Sequence, residues 1–279
     1  MNNTTYTMTE LMIVASAREI SDGDLIFAGV GNPTLSALLA RMTHAPNALI
    51  ATESGSIGPS PKRIMLGIGD NAGIENCICS TSLWRLFSDQ QRGYIDIGMV
   101  GGAQVDRYGN LNSTAIFGDG SYARPVSRLP GSGGANDIAS CAQKTIISIP
   151  LQRRRFLERV DYITSPGYLS GGDARAKAGL RGGPEAIITD KCIFRFHPET
   201  KEIMLTQVHP GVTIEEIQKE ISWELKLAEK IEVTEPPTEQ EVRMIRQLDP
   251  EGIYIGTGMA DLTFERYMDM LSRSLESFH

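Results

Sequence analysis

The chain has 279 residues, enough to bury a substantial core as one large α/β domain or two modest ones. Its 34 acidic residues outnumber 27 basic ones, and a net charge of −7 argues against a surface that holds nucleic acid or an acidic membrane. No stretch reaches the unbroken apolar length of a membrane span, and Met1 to Tyr6 lack the charged and apolar regions of a signal peptide.

Thr9 is positioned to cap a first helix over residues 10 to 20, with Leu11, Val14, Ala15 and Ile20 on its inner face, and Asp22-Gly23 ends it. Residues 25 to 30 then form a continuously apolar strand of the kind buried on both faces. Pro33 suits the first turn of a helix over residues 35 to 42. A second strand over residues 48 to 52 delivers Glu53. This strand, helix, strand order is a βαβ unit and predicts a parallel sheet.

Further buried strands are expected over residues 95 to 100, 145 to 149 and 186 to 189. Residues 193 to 196 and 202 to 206 flank a turn and predict a hairpin. Two helices start at capping boxes, Thr213 with Glu216 and Thr238 with Glu241, joined through the stiff connector Glu235-Pro236-Pro237. A terminal helix or frayed tail follows Ile255-Gly256-Thr257-Gly258, over residues 260 to 278. The expected organisation is one domain over residues 1–255 with residues 256–279 as that tail. Cys77, Cys79, Cys141 and Cys192 read as reduced thiols in a cytoplasmic protein, because Cys77-Ile78-Cys79 has the wrong spacing for a zinc knuckle or a redox dithiol.

Three stretches carry the chemistry. Thr52-Glu53-Ser54-Gly55 puts a carboxylate at the end of an apolar strand, just before a tight turn. Gly101-Gly102-Ala103-Gln104-Val105-Asp106, running on to Asn112-Ser113-Thr114, and Gly131-Ser132-Gly133-Gly134-Ala135-Asn136-Asp137 supply glycine-rich backbone. Such backbone approaches a ligand closely and presents N–H donors to developing negative charge. A nucleophilic carboxylate facing backbone amides is the equipment for acyl transfer through an anhydride. Ligands in open parallel sheets bind at the carboxyl ends of strands, where these loops are expected. Each feature alone has a plainer reading: a strand-end glutamate is usually a solvated charge, and most glycines mark turns.

On these motifs, together with residues 160 to 167 and His209-Pro210-Gly211-Val212-Thr213, the chain resembles the B (β-type) subunit of family I CoA-transferases, with the glutaconate CoA-transferase branch the best fit. The likeness runs from about residue 6 to residue 255. It implies an open, mainly parallel α/β sheet with helices on both faces, the fold shared with ribose-5-phosphate isomerase and glucosamine-6-phosphate deaminase. It also implies Glu53 as nucleophile. In this family the glutamate attacks a donor thioester, giving an acyl-glutamyl anhydride and CoA thiolate. The thiolate attacks the anhydride and leaves CoA on the glutamate as a thioester, and an acceptor carboxylate runs the sequence backwards.

The resemblance further implies acyl-CoA and carboxylic acid substrates and a separate A subunit, in a heterotetramer or larger assembly. No cofactor is expected to stay bound; the CoA thioester is the substrate. No metal is suggested by His44, His197, His209 and His279. The backbone at Gly101, Gly102, Gly133 and Gly134 is expected to hold the oxyanion. Ser54 is placed beside the nucleophile. Gln104 and Asp106 are expected to order the glycine loop from behind. Asn112 and Ser113 either bind a substrate carboxylate or the pantetheine arm, or shape the turn after Gly109. Arg153-Arg154-Arg155 invites a CoA-phosphate site but reads better as a solvated face. Residues 165 to 184 read as a structured loop. Two other functions stay open: a CoA-thioester hydrolase of the ring-opening β-ketoacyl-CoA type, and a non-catalytic ligand-binding relative.

Overall fold

The computed structural model describes residues 5–256 and 262–276. Thr257, Gly258, Ala260, Phe278 and His279 lie outside these residues, as do Met1–Thr4 of the N-terminal stretch.

Ten strands form the main sheet: β1 (Leu25–Ala28), β2 (Leu49–Ala51), β3 (Ser56–Ile57), β4 (Cys79–Ser80), β5 (Ile97–Val100), β6 (Lys144–Ser148), β7 (Pro184–Ile188), β8 (Cys192–Phe196), β9 (Ile203–Val208) and β10 (Lys226–Val233). Their order is β10-β9-β8-β7-β6-β5-β1-β2-β3-β4. The centre, from β7 to β2, is entirely parallel. Antiparallel pairings flank it on both sides, at β2-β3-β4 and β7-β8-β9, and β9-β10 is parallel again. The mainly parallel expectation therefore holds at the centre, where βαβ crossovers build the sheet. At the flanks short turns join β2 to β3, β7 to β8 and β8 to β9 and force antiparallel pairing, while β4 returns to β3 after a longer loop. The hairpin expected around residues 197 to 201 is β8-β9.

Side-chain alternation along the central strands feeds two cores. Ile26, Ile50, Met99, Ile146 and Ile188 face one layer, packed by α1 (Met8–Ala17), α2 (Asn32–Met42) and α7 (Glu239–Leu248). Phe27, Ala51, Val100, Ile147 and Ile187 face the other, with Leu86 of α3 (Leu83–Gln91), Ile138 of α4 (Ala135–Cys141) and Ile217 of α6 (Ile214–Lys219). Both faces are buried, so these strands read as continuous apolar runs; each fully buried Ile or Phe contributes about 1.5–3 kcal/mol.

The first helix starts earlier than expected. Its cap is Thr7, whose hydroxyl accepts from the Glu10 N–H while the Glu10 carboxylate accepts from the Thr7 N–H. The helix ends at Ala17, and Ile20 is buried beyond it. Thr9 lacks a glutamate three residues on, which is what gives Thr7 the box. The boxes at Thr213 and Thr238 form as expected. The short α5 (Ala174–Lys177) carries Arg175, 3% exposed, whose guanidinium donates to the carbonyls of Ala139, Pro166, Gly167, Arg181 and Gly182. Residues 165 to 184 are thus a pinned, structured loop. A last helix, α8 (Phe264–Glu276), lies within the expected tail.

Candidate active site

Glu53 sits where β2 turns into β3. The Gly55 N–H donates to the Thr52 carbonyl at 2.9 Å, and the Thr52 N–H to the Ser56 carbonyl at 3.0 Å, which closes the turn around the glutamate. Gly55 has φ +102°, and a Cβ there would strike the Thr81 carbonyl. Only glycine satisfies both demands. Beneath the turn, the Thr52 hydroxyl bonds the hydroxyls of Ser54 at 2.8 Å and Ser56 at 2.6 Å. Ser54 therefore braces the turn.

The Glu53 carboxylate meets the second glycine loop. Gly134, the residue that caps α4, is the backbone nearest the carboxylate, and its N–H is close enough to favour the charged form of Glu53. A Cβ built on Gly134 would lie 3.1 Å from Glu53 Oε1 and 2.5 Å from Cζ of Phe87; on Gly133 it would lie 3.8 Å from the same oxygen. Gly134 has an ordinary right-handed conformation, so close approach rather than φ makes it glycine. Gly133, at φ +50°, needs glycine for its backbone as well. Burial pushes the Glu53 carboxyl above its ordinary range, against a smaller downward pull from the Gly134 N–H.

Gly101 and Gly102 follow β5, and β1 lies between β5 and β2. At ~4.8 Å per strand they are roughly 10 Å from the Glu53 strand. The structure brings Gly133 and Gly134 to the carboxylate and keeps Gly101 and Gly102 across the sheet end. Gly101 is exposed, with the Ser148 carbonyl 3.1 Å from where its Cβ would be.

Gln104 and Asn112 are buried and bonded to each other, with Asn112 Nδ2 donating to Gln104 Oε1 at 2.6 Å. Gln104 Nε2 donates to Asp161, and Asn112 Oδ1 accepts from the Thr114 N–H. Both side chains hold the loop, with none of these contacts facing Glu53. Asp106 does the same, binding Asn110 Nδ2 and the N–H groups of Tyr108 and Asn110, while burial pushes its carboxyl upward. Ser113 links the two glycine loops through backbone: its carbonyl accepts from the Gly131 N–H at 2.8 Å. In the arginine run, Arg153 and Arg154 are exposed, but Arg155 is half-buried and donates to the Gly102 carbonyl at 3.3 Å.

Residues that the motifs did not point to also stand around the carboxylate and its glycine loop. Met65 and Ile68 join Ala28, Gly29, Val30, Thr52 and Glu53 in lining a cavity of about 10 Å³, room for about one water. Phe87 stands at Gly134. Its signal was the amphipathic spacing Leu83, Leu86, Phe87, Gln90 after Ser82, which marks a helix in a stretch without catalytic motifs. A larger cavity of about 690 Å³, lined by Asp106, Arg107, Tyr108 and Glu158 among others, shares no lining residue with that of Glu53. There Arg107 is already paired with Glu158 and Glu202.

His209 is buried, between the Thr234 hydroxyl and the Thr189 carbonyl, both at 2.9 Å, and burial holds its pKa down. His197 accepts the Glu199 and Thr200 N–H groups in the hairpin turn. All four cysteines are free. Among the described residues no helix is long and apolar enough to cross a membrane.

Comparison with known proteins shows the family and the fold. Residues 9–220 match the family model described as Coenzyme A transferase. The chain is 41% identical over 246 residues, 88% of its length and 94% of the relative's, to the B subunit of 3-oxoadipate CoA-transferase from Pseudomonas knackmussii. It is 35% identical over 260 residues to the B subunit of glutaconate CoA-transferase from Acidaminococcus fermentans, covering 90% of this chain and 96% of that one. The crystal structure of the A. fermentans glutaconate coenzyme A-transferase superposes with a TM-score of 0.84 at 33% identity, over 91% of this chain and 99% of that one. The mixed, mostly parallel sheet is thus that of a known CoA-transferase, and this chain belongs to the coenzyme A transferase family.

Proposed function

We propose that this chain is the B subunit of a CoA-transferase that moves CoA between an acyl-CoA and a short-chain carboxylic acid in two half-reactions, with Glu53 as the nucleophile. One observation carries the reading: a partly desolvated carboxylate at the carboxyl end of the parallel core, set beside the glycine loop at Gly133-Gly134. A carboxylate is a weak nucleophile towards a thioester, and stripping water from it and fixing it against its target offsets that weakness. Attack on the thioester carbonyl forms the acyl-glutamyl anhydride and releases CoA thiolate. The thiolate then attacks the glutamyl carbonyl, releasing the acid and leaving a glutamyl-CoA thioester. The acceptor acid reverses both steps.

In this reading the amides of Gly133 and Gly134 stabilise the oxyanion next to Glu53, and Gly101-Gly102 contacts the substrate from across the sheet end. Ser54 shapes the nucleophile turn, while Gln104, Asn112 and Ser113 support the loops. The 3-oxoadipate and glutaconate relatives make 3-oxo or unsaturated dicarboxylic acids the first substrates to test. A cavity of about 10 Å³ cannot hold an acyl-CoA, so a partner A subunit supplies the remaining walls. Ile78, Leu83 and Trp84, exposed beside the Glu53 turn, offer it an apolar seat. A heterotetramer or larger assembly, a CoA thioester as substrate with no resident cofactor, a cytoplasmic location with reduced cysteines, and one catalytic domain over residues 1–255 complete the proposal.

The test is to co-express the chain with its A subunit, add short acyl-CoAs without acceptor, and map adducts by peptide mass spectrometry. A CoA or acyl adduct on the Glu53 peptide that persists supports the transferase. Stoichiometric release of free CoA and acid without an adduct replaces it with the hydrolase. Neither adduct nor turnover would leave a binding protein.

A further inference from the structure

We propose that Phe87 is a positioning residue for the Glu53 carboxylate: wedged between Phe27 and Gly134, its ring holds the Gly134 amide on the carboxylate and keeps water from that side. The inference rests on Glu53 as the reacting group. The ring centroids of Phe87 and Phe27 are 5.5 Å apart and tilted by 56°. Phe27 is 1% exposed, in the strand β1 whose last residue, Ala28, lines the Glu53 cavity. On its other side the Phe87 ring reaches so near Gly134 that a Cβ there would sit 2.5 Å from Cζ, and that same Cβ would sit 3.1 Å from Glu53 Oε1. Ring, glycine and carboxylate are therefore in sequence along one line of contact, which starts on a rigid buried strand.

Three consequences follow from that line. The turn at Gly133-Gly134 is stopped from retreating by an aromatic ring that is itself backed by the core, so the amide stays aimed at Glu53. The ring occupies space from which water would otherwise solvate the carboxylate, which accords with the upward displacement of its pKa by burial. Phe87 also lies on α3, the helix that carries the exposed Leu83 and Trp84, so anything seated on those two residues bears on the helix that aims the amide. Phe87 touches no reacting atom; it acts through Gly134.

The experiment uses the assembled complex with Phe87→Leu, Phe87→Ala and Glu53→Gln. The Glu53 carboxyl is followed by ¹³C NMR titration, with Glu53→Gln identifying the signal, alongside kcat, KM and adduct mapping. Phe87→Ala should let water in and lower the Glu53 pKa towards that of an ordinary glutamate. It should lower kcat about 10- to 100-fold while KM for acyl-CoA stays within about twofold. Phe87→Leu should recover part of both effects, since it refills the space, whereas a merely structural residue would change the melting temperature and leave the carboxyl titration in place. An unchanged Glu53 titration in a folded Phe87→Ala complex overturns the proposal, as does an unchanged kcat. If Glu53 shows no adduct in the unsubstituted protein but its titration still moves with Phe87, the wedge stands and the nucleophile assignment fails.

Discussion

The two glycine loops look equivalent in sequence and differ in the folded chain. Gly133-Gly134 lies beside Glu53, with the Gly134 N–H near its carboxylate. Gly101-Gly102 ends β5, two strand positions from β2, and its second carbonyl accepts from Arg155. Glycine pairs announce a close approach of backbone to something. They do not say to what, because the partner is set by strand order, and β1 is the strand that intervenes.

The sharpest test of that contrast removes the shared target. Glu53→Ala should abolish transfer, a loss of at least about 10⁴ in rate for a covalent nucleophile, while the two kinds of chain still associate; steady-state kinetics and gel filtration check both. Gly134→Ala comes next. Its methyl group would meet Phe87 at 2.5 Å and Glu53 at 3.1 Å, so we expect about a 10²- to 10³-fold fall in kcat and a destabilisation of about 1–3 kcal/mol, read by kinetics and denaturant unfolding. Gly101→Ala should do less, within about 10-fold in kcat, because alanine keeps the N–H and the nearest atom to its methyl is one carbonyl at 3.1 Å. If Gly101→Ala proves worse than Gly134→Ala, the ranking of the two loops is reversed.

Acid dependence separates the loops further. Burial raises the Glu53 pKa in the folded chain above the ordinary value of 4.5, so the acid limb of kcat/KM should lie above that value. For stability the sign is opposite to the usual carboxylate. A raised folded pKa favours folding at low pH, and that contribution is lost as pH rises through the folded value. Glu53→Gln should therefore raise the melting temperature at pH 7 and change it little at pH 4, which differential scanning calorimetry measures. The smallest effect expected is for Thr238→Ala, far from both loops: about 1 kcal/mol of stability from the lost cap, with the transfer rate unchanged.

Much of the scaffold was legible because it rests on local chemistry. The central strands declare themselves as apolar runs since both their faces are covered, and Thr213 and Thr238 start helices because each has its glutamate three residues on. Thr7 carried the same signature with Glu10, and it outweighs Thr9 for that reason. The site was legible only in part. Glu53 and the second glycine loop were visible as motifs, whereas Met65 and Ile68 come from a loop and Phe87 from an amphipathic helix, neither of which carries a catalytic motif. Gln104 and Asn112 show the reverse: polar residues inside a motif, buried and bonded to each other.

By itself the sequence determined the βαβ core, the carboxylate at a strand end and the glycines able to meet it, because these follow from periodicity, turn chemistry and residue type within a few positions. The tertiary structure decided which glycine loop meets the carboxylate, that a phenylalanine from α3 backs that loop, and that antiparallel strands close both flanks of the core. Those outcomes depend on strand order and on approaches between residues some 47 to 81 positions apart, as from Gly134 to Phe87 and to Glu53, which no local pattern encodes.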